Sequence, residues 1–260
     1  MSLLAISDVS ISFDGVRVLD HLSLSLEAGE LRFLIGPNGA GKTTLIDVVS
    51  GKTRPQSGRV TFDGADVLRL EPHQLARRGM SRKFQTPAIF PSLTVHENLE
   101  VTAGSDQRHG GWRLLRPVDA EVNARIADAL QLTRLGTEAD TRAGLLSHGQ
   151  QQWLEIGMLL VQRPRLMLLD EPVAGLTRAE RDRTGELLKN VQERCAILIV
   201  EHDMAFVRKF DATVTVLHQG KVLVEGPLPV VQRDERVIEV YLGRLDKAEA
   251  EAVAEAEVVA

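Results

Sequence analysis

Along the first part of the chain, apolar and polar positions take turns. Ile6, Val9 and Ile11, and then Leu22, Leu24 and Leu26, are set among Ser, Asp and Glu, the period-two texture of strands with one buried face. The pattern predicts an antiparallel region at the N-terminus. At Leu31 it gives way to a nearly continuous apolar run, Leu31, Phe33, Leu34 and Ile35, which stops at a Gly-Pro-Asn-Gly turn. Such a run suits a central strand buried on both faces. Two later runs share its character: Leu166 to Leu169 ending at Asp170, and Ala196 to Val200 ending at Glu201 and His202. In a parallel sheet the ligand crevice lies at the carboxyl ends of the strands, so these three polar ends are predicted to converge on one site.

From Ser92 to Gly144 the strand texture disappears, and Val122, Ile126, Ala129, Leu130 and Leu132 recur at helical spacing. This predicts a helical subdomain, placed at residues 88–162. Trp153, Ile156, Leu160 and Val161 then fall at i, i+3, i+7 and i+8, marking one apolar face of a helix. Leu146 to Gln150 therefore belongs at a helix N-terminus. Thr213 to Glu225 reads as strand-turn-strand around His218 to Gly220. Asp246 to Ala260 is mostly Ala, Glu and Val with no core-forming pattern, which predicts a frayed or disordered tail after a folded unit of residues 1–245.

A length of 260 residues fits one large domain or a core with a subdomain. Lys plus Arg is 31 and Asp plus Glu 36, a net charge of −5, which argues against a general nucleic-acid coat. The longest apolar stretches fall short of the ~20 residues that span a bilayer. Cys195 is the single cysteine, so no internal disulfide or cysteine-cluster metal site can form. Met1 to Phe13 has no basic segment before an apolar core, which predicts no secretory signal and a reducing, cytosolic setting.

The chemistry is concentrated in short motifs. Gly36-Pro37-Asn38-Gly39-Ala40-Gly41-Lys42-Thr43 matches G-x-x-x-x-G-K-[ST], between a buried strand and a helical segment continuing with Thr44. The glycines let backbone N–H groups close around phosphates, Lys42 sets a positive charge against them, and the Thr43 hydroxyl suits Mg²⁺. Leu166-Met-Leu-Leu-Asp170-Glu171 ends in adjacent carboxylates. Asp170 is read as the metal ligand and Glu171 as the base that accepts a proton from attacking water. Trp112 and Trp153 read as packing residues and Cys195 as inert. Arg77, Arg78 and the Arg178 to Arg183 charges read as solvated helix faces, with Arg78 and Arg82 near a candidate docking groove. His21, His73, His96, His109 and His218 form no metal-binding spacing.

Leu146-Ser147-His148-Gly149-Gln150, taken with these two motifs, resembles the Leu-Ser-Gly-Gly-Gln signature of ATP-binding-cassette (ABC) ATPases. The resemblance extends from Phe13 to Gly243. It implies an α/β fold: a P-loop core with an N-terminal antiparallel β-subdomain and an α-helical subdomain. It implies that Gln85, in Lys83-Phe84-Gln85-Thr86-Pro87, senses the metal and water and links to a membrane subunit. By the same resemblance His202 is the switch histidine that contacts the γ-phosphate, and Phe13 is the aromatic on which adenine stacks; a strand-core role is the alternative for Phe13. It further implies a head-to-tail dimer, with a second copy or a different cassette, in which Ser147, Gly149 and Gln150 of one chain close over ATP on the other. Two positions depart from the family. His148 replaces a glycine, its side chain expected to point away from the phosphate, and Thr177 in Ala174-Gly175-Leu176-Thr177 stands where Asp is usual.

The implied role is the ATP-hydrolysing subunit of an importer of urea or short-chain amides, on the cytoplasmic face of the membrane, energising separate permease subunits that a solute-binding protein supplies. Pro87 to Leu99, Asp170 to Leu176 and Val237 to Gly243 resemble the branched-chain amino-acid importer group. Ser147 to Leu160 is most similar to its urea and short-chain amide branch. Alternatives are a branched-chain amino-acid importer subunit, a soluble ABC ATPase acting on ribosomes or nucleic acid, and a nucleotide-binding assembly switch. The acidity of the chain argues against nucleic acid as a partner.

Overall fold

The structure is a computed structural model and describes residues 2–83, 88–104 and 120–240. Gln85, His109, Trp112 and the 246–260 tail lie outside these residues. The chain begins with β1 (Leu4–Phe13), β2 (Val16–Leu26), β3 (Leu31–Ile35), α1 (Lys42–Val49), β4 (Ser57–Phe62), β5 (Ala65–Asp66), α2 (Pro72–Arg77) and β6 (Met80–Lys83). Three helices follow: α3 (Val95–Gly104), α4 (Ala120–Thr133) and α5 (His148–Leu160). The chain then returns to the sheet with β7 (Leu166–Asp170), α6 (Arg178–Gln192), β8 (Ala196–Val200), α7 (Met204–Val207), β9 (Thr213–His218), β10 (Lys221–Pro227) and α8 (Leu228–Val231).

The predicted N-terminal antiparallel region is a sheet in the order β2-β1-β4-β5. Its alternation is not plain. Ile6 and Val9 are three residues apart, yet both are buried, and the pairing of β1 with β2 shifts register between them. The extra residue is absorbed by a bulge in which Asp8 takes a φ of 55° and His21, on the opposite strand, a φ of 50°. Asp8 Oδ1 and His21 Nδ1 lie 2.7 Å apart. Gly58 packs against this bulge with a φ of +93°, where a Cβ would come within 2.5 Å of the Asp8 carbonyl oxygen.

The second sheet runs β10-β9-β3-β8-β7-β6. β9, β3, β8, β7 and β6 are parallel, and β10 is an antiparallel edge. Every residue of β3, β7 and β8 is buried, as their continuous apolar runs predict. Arg32 is buried within β3, its guanidinium held by Glu30 at 2.7 Å, by Thr215 at 3.3 Å and by Glu225.

α5 departs from its predicted single apolar face. Gln152 to Leu159 are all buried while Leu160 is half-buried, because the helix packs against α3, α4 and β6 together. Trp153 is a packing residue, donating from Nε1 to Thr184 Oγ1 at 2.9 Å with the Arg183 guanidinium 3.7 Å from the ring centroid. Arg183 thus corrects the reading of Arg178 to Arg183 as a merely solvated face. So does Arg181, whose guanidinium binds Asp203 at 2.8 Å and the Leu176 carbonyl at 3.0 Å. Burial pushes the Cys195 thiol up to about 11, as an inert core cysteine requires. No described helix is long and apolar enough to cross a membrane.

Gly58→Ala is expected to cost about 2 kcal/mol or more, combining left-handed strain with a backbone collision. Gly64, at φ +73° with nothing within 4 Å of where a Cβ would sit, should lose only ~1 kcal/mol as Ala. Thermal unfolding midpoints of the two variants check the contrast; equal losses would mean that the Asp8 bulge yields.

Candidate nucleotide-binding site

β3 delivers the chain into residues 36–43, and the geometry explains the glycines. Gly36 has a φ of +151°, and a Cβ there would lie 2.2 Å from the Leu217 carbonyl oxygen. Gly41, at φ +101°, caps α1 with no side chain of its own; a Cβ there would meet Leu19 Cδ2 at 2.7 Å and the Val18 carbonyl oxygen at 2.8 Å. The first-turn N–H groups of α1 therefore open on a backbone loop, an arrangement suited to phosphate. Lys42 Nζ curls over that loop and donates to the Gly36 carbonyl at 2.7 Å and the Pro37 carbonyl at 3.0 Å. Asn38, Gly39 and Thr43 are exposed, Pro37 and Thr44 half-buried, and Ala40 buried.

The carboxylates stand at the ends of the neighbouring strands. Asp170, the last residue of β7, is 3% exposed, and its carboxyl is raised above the usual range by burial and then by the charge of Glu171. Glu171 adopts a φ of 48°, a region that costs a non-glycine residue and that clusters at functional sites. Its N–H donates to the Val200 carbonyl at 2.9 Å, tying it to β8. His202 follows β8, and its Nδ1 lies 3.5 Å from Glu171 Oε1. The predicted base and the predicted switch histidine are thus neighbours.

Glu201 plays a part that no local pattern announced. It is 1% exposed and accepts the N–H of Val173 at 3.3 Å, of His202 at 3.1 Å and of Asp203 at 3.3 Å. One carboxylate therefore braces the loops after β7 and β8. Burial nevertheless outweighs these bonds and raises it above the ordinary range.

The 147–150 turn is built onto a different segment. Ser147 caps α5, its Oγ accepting from Gln150 N at 3.2 Å while Gln150 Oε1 accepts from Ser147 N at 2.9 Å. Gln150 also reaches Glu138 at 3.2 Å. The carboxylate of Glu180 lies against Gly149, and His148 Nε2 lies 3.4 Å from the Ala174 carbonyl oxygen. Within one chain, then, this turn leans on residues 174–180. Thr177 is the N-cap of α6, its Oγ1 accepting from Glu180 N at 3.3 Å and donating to Glu180 Oε2 at 2.8 Å, a capping task that Thr performs as Asp would. Phe13, at the β1–β2 hairpin tip, is 47% exposed, which removes the strand-core alternative. It pairs with Val16, about 7 Å of strand beyond Val18, whose carbonyl touches the Gly41 turn.

A glycine-lined strand-to-helix turn with its lysine, and two carboxylates ending an adjacent region of the same parallel sheet, define a P-loop nucleotide-binding protein. The chain matches the ABC transporter family model over residues 19–174 and belongs to that family. It is 35% identical over 256 residues to the probable branched-chain amino acid transport ATP-binding protein LivG of Archaeoglobus fulgidus, covering 95% of this chain and 97% of that one. It is 32% identical over 252 residues to the high-affinity branched-chain amino acid transport ATP-binding protein BraF of Pseudomonas aeruginosa, covering 93% and 98%. Among solved structures it resembles the ADP conformation of an ATP-binding cassette of an ABC transporter, with a TM-score of 0.80 and 30% identity over 94% of this chain and 99% of that one. It also resembles a dimeric bacterial ABC transporter cassette, with a TM-score of 0.72 and 25% identity over 86% and 98%. The chain binds ATP and is an ATPase coupled to transmembrane transport.

Asp170 also sets a stability signature. Its carboxyl is raised in the folded chain, so the ionised form opposes folding; stability from this group is fully present below its unfolded value of 3.8 and is lost as pH rises through the higher folded value. Asp170→Asn is therefore expected to raise the unfolding midpoint at pH 7, the gain shrinking as pH is lowered toward 4. A midpoint that falls at pH 7 would show that Arg82 and Lys83 outweigh the burial.

Proposed function

We propose that the chain is the ATP-hydrolysing subunit of a branched-chain amino-acid importer, acting in a dimer of cassettes on separate membrane subunits. The observation that carries this is the near full-length similarity to branched-chain amino acid transport ATP-binding proteins, together with the grouping of the 36–43 loop, Asp170, Glu171 and His202 at one edge of the sheet. In this reading, loop N–H groups and Lys42 bind the phosphates, Lys42 exchanging its bonds to Gly36 and Pro37 for phosphate oxygens. Phe13 stacks on adenine. Glu171 takes the proton of the attacking water, and His202 beside it stabilises charge on the γ-phosphate. Ser147, Gly149 and Gln150 cover the nucleotide of the partner cassette.

The donor set fits Mg²⁺. The Thr43 hydroxyl and the Asp170 carboxylate are hard oxygen ligands, and a desolvated carboxylate raised by its neighbours gains from a cation. Thr43 and Asp170, with Gln85, would hold the ion, which when bound offsets the negative charge of the phosphates.

A groove of ≈ 380 Å³ is lined by Leu75, Met80, Arg82, Leu159 and Gln162, among others. It adjoins the end of β6, one residue before the segment that carries Gln85, and would seat a helix of the membrane subunit. Closure of the dimer on ATP moves these elements together, and hydrolysis resets them. The chain would then lie on the cytoplasmic face of the membrane through its permease partners, a solute-binding protein acting upstream.

A second solute is favoured by one stretch. The similarity of Ser147 to Leu160 to the urea and short-chain amide branch supports it, while the near full-length similarity to branched-chain amino acid transport ATP-binding proteins supports the amino-acid reading better. No residue of the chain is expected to touch the solute.

Two measurements test the reading. Lys42→Ala should weaken ATP binding, whereas Glu171→Gln should bind ATP as the native chain does and lose turnover by ~10²-fold or more; equal loss of affinity in both overturns the division of roles. In source cells, replacing the gene by Glu171→Gln should abolish uptake of labelled leucine. Loss of labelled urea uptake instead would transfer the assignment to the urea branch. Loss of neither while the protein is expressed would end the importer reading.

A further inference from the structure

From Gln152 to Leu159 α5 is buried all round, yet three of its polar residues fall at i, i+4 and i+7: the exposed His148 and the buried Gln152 and Glu155. That spacing places them on one face of the helix. Gln152 Nε2 lies 2.9 Å from His148 Nε2 and donates to the Ala174 carbonyl at 3.2 Å, three residues past Glu171. One turn further along, the Glu155 side chain is 4% exposed and faces Lys83, which is 1% exposed, with 3.4 Å between Oε2 and Nζ. Glu155 Oε1 also accepts the N–H of Ala88 at 3.2 Å. Lys83 ends β6 and Ala88 follows the four residues 84–87. A single buried carboxylate thus holds both flanks of the segment that contains Gln85.

A buried ion pair is an expensive way to stabilise a core. Taking both charges out of water offsets most of their attraction, and two apolar side chains of similar volume often serve stability as well or better. What the apolar pair could not do is accept the Ala88 N–H while fixing Lys83. The charge is therefore placed where the main chain on either side of Gln85 needs a fixed point.

We propose that Glu155 is a positioning residue: by gripping Lys83 and Ala88 it fixes the described chain on both sides of residues 84–87, and through Gln152 and His148 the same helix face sets the turn after Glu171. The Ser147 end of α5, which would cover the partner's nucleotide, is in this way mechanically joined to the two segments that organise hydrolysis. The inference rests on the reading of Gln85 as the metal- and water-sensing residue.

The test is ATP turnover of the full chain with Mg²⁺. Glu155→Ala is expected to lower kcat about tenfold with half-saturating ATP within twofold, because the loop that binds phosphate is untouched. Gln85→Ala should do the same, and the double variant should be no more than about twofold below the worse single, since both act through one segment. Glu155→Gln, which keeps an acceptor for Ala88, should retain most of the turnover. A folded Glu155→Ala at native turnover, or single losses that multiply to about a hundredfold in the double variant, overturns the proposal. Gln85→Ala at native turnover instead removes the Gln85 reading and the route by which Glu155 acts. Should Glu155→Ala fail to fold, Lys83→Met with Glu155→Met restores an apolar core; it should fold and still lose turnover, and native turnover in it overturns the proposal equally.

Discussion

At Gly41 and Gly220 two different segments press against the same carbonyl group, that of Val18 in β2, at distances where a Cβ would sit 2.8 Å and 2.5 Å from its oxygen. Gly220 N donates to the Ala40 carbonyl at 3.1 Å, and the Gly220 carbonyl accepts from Asp20 N at 3.0 Å. The antiparallel sheet, the 36–43 loop and the β9–β10 turn meet there backbone against backbone, with the Leu19 side chain beside Gly41. Gly36 repeats the device one strand away against Leu217. A side chain at any of the three would push the loop off its neighbours, and with it the N–H groups that face a phosphate. The placement of Phe13 depends on the same seam, because β2 carries the hairpin tip only a few residues beyond Val18.

Onto this fixed loop the structure brings more negative charge than burial favours. Asp170 and Glu201 are both raised by desolvation, and Glu171, bonded through its N–H to the Val200 carbonyl, stands in a left-handed conformation. Glu201 is kept in place by three N–H donors; Asp170 lies beside Glu171, whose charge adds to the cost. Regions of this kind lower stability to hold chemistry ready. The cost is contained because the flanking strands are buried along their whole length, so the loops cannot relax without disturbing β7 and β8.

Much of this is legible in the chain. Continuous apolar runs ending in Gly36, Asp170 and Glu201-His202 announce three central strands and the edge at which their ends meet, because a strand buried on both faces has no polar positions to spare. What is not legible depends on contacts distant in sequence. The slip between Ile6 and Val9 is repaired by a bulge paired across the hairpin, which one strand read alone does not reveal. Thr177 reads as a lost carboxylate, but it caps α6 with Glu180; the pair Thr177 and Glu180 at the spacing of a capping box is the available signal. Glu201 and Glu155 carry no local signal of this kind. Each is a carboxylate whose meaning lies in main-chain amides that its neighbours in sequence do not announce, Val173 for Glu201 and Ala88 for Glu155.

Glu201 and Glu155 also solve one problem in two places. A loop that must present a side chain at a strand end has N–H groups with no ladder to join, and leaving them buried without acceptors is costly. A carboxylate offers several acceptor positions on one rigid group, so it ties several amides or an amide and a cation to a single point. Glu201 does this for the loops after β7 and β8, from the residue that follows β8. Glu155 does it for the flanks of residues 84–87, from a helix whose other end is the 147–149 turn. The first joins segments of one sheet. The second joins the sheet to the helices, so a displacement of α5 would be passed to Lys83 and Ala88.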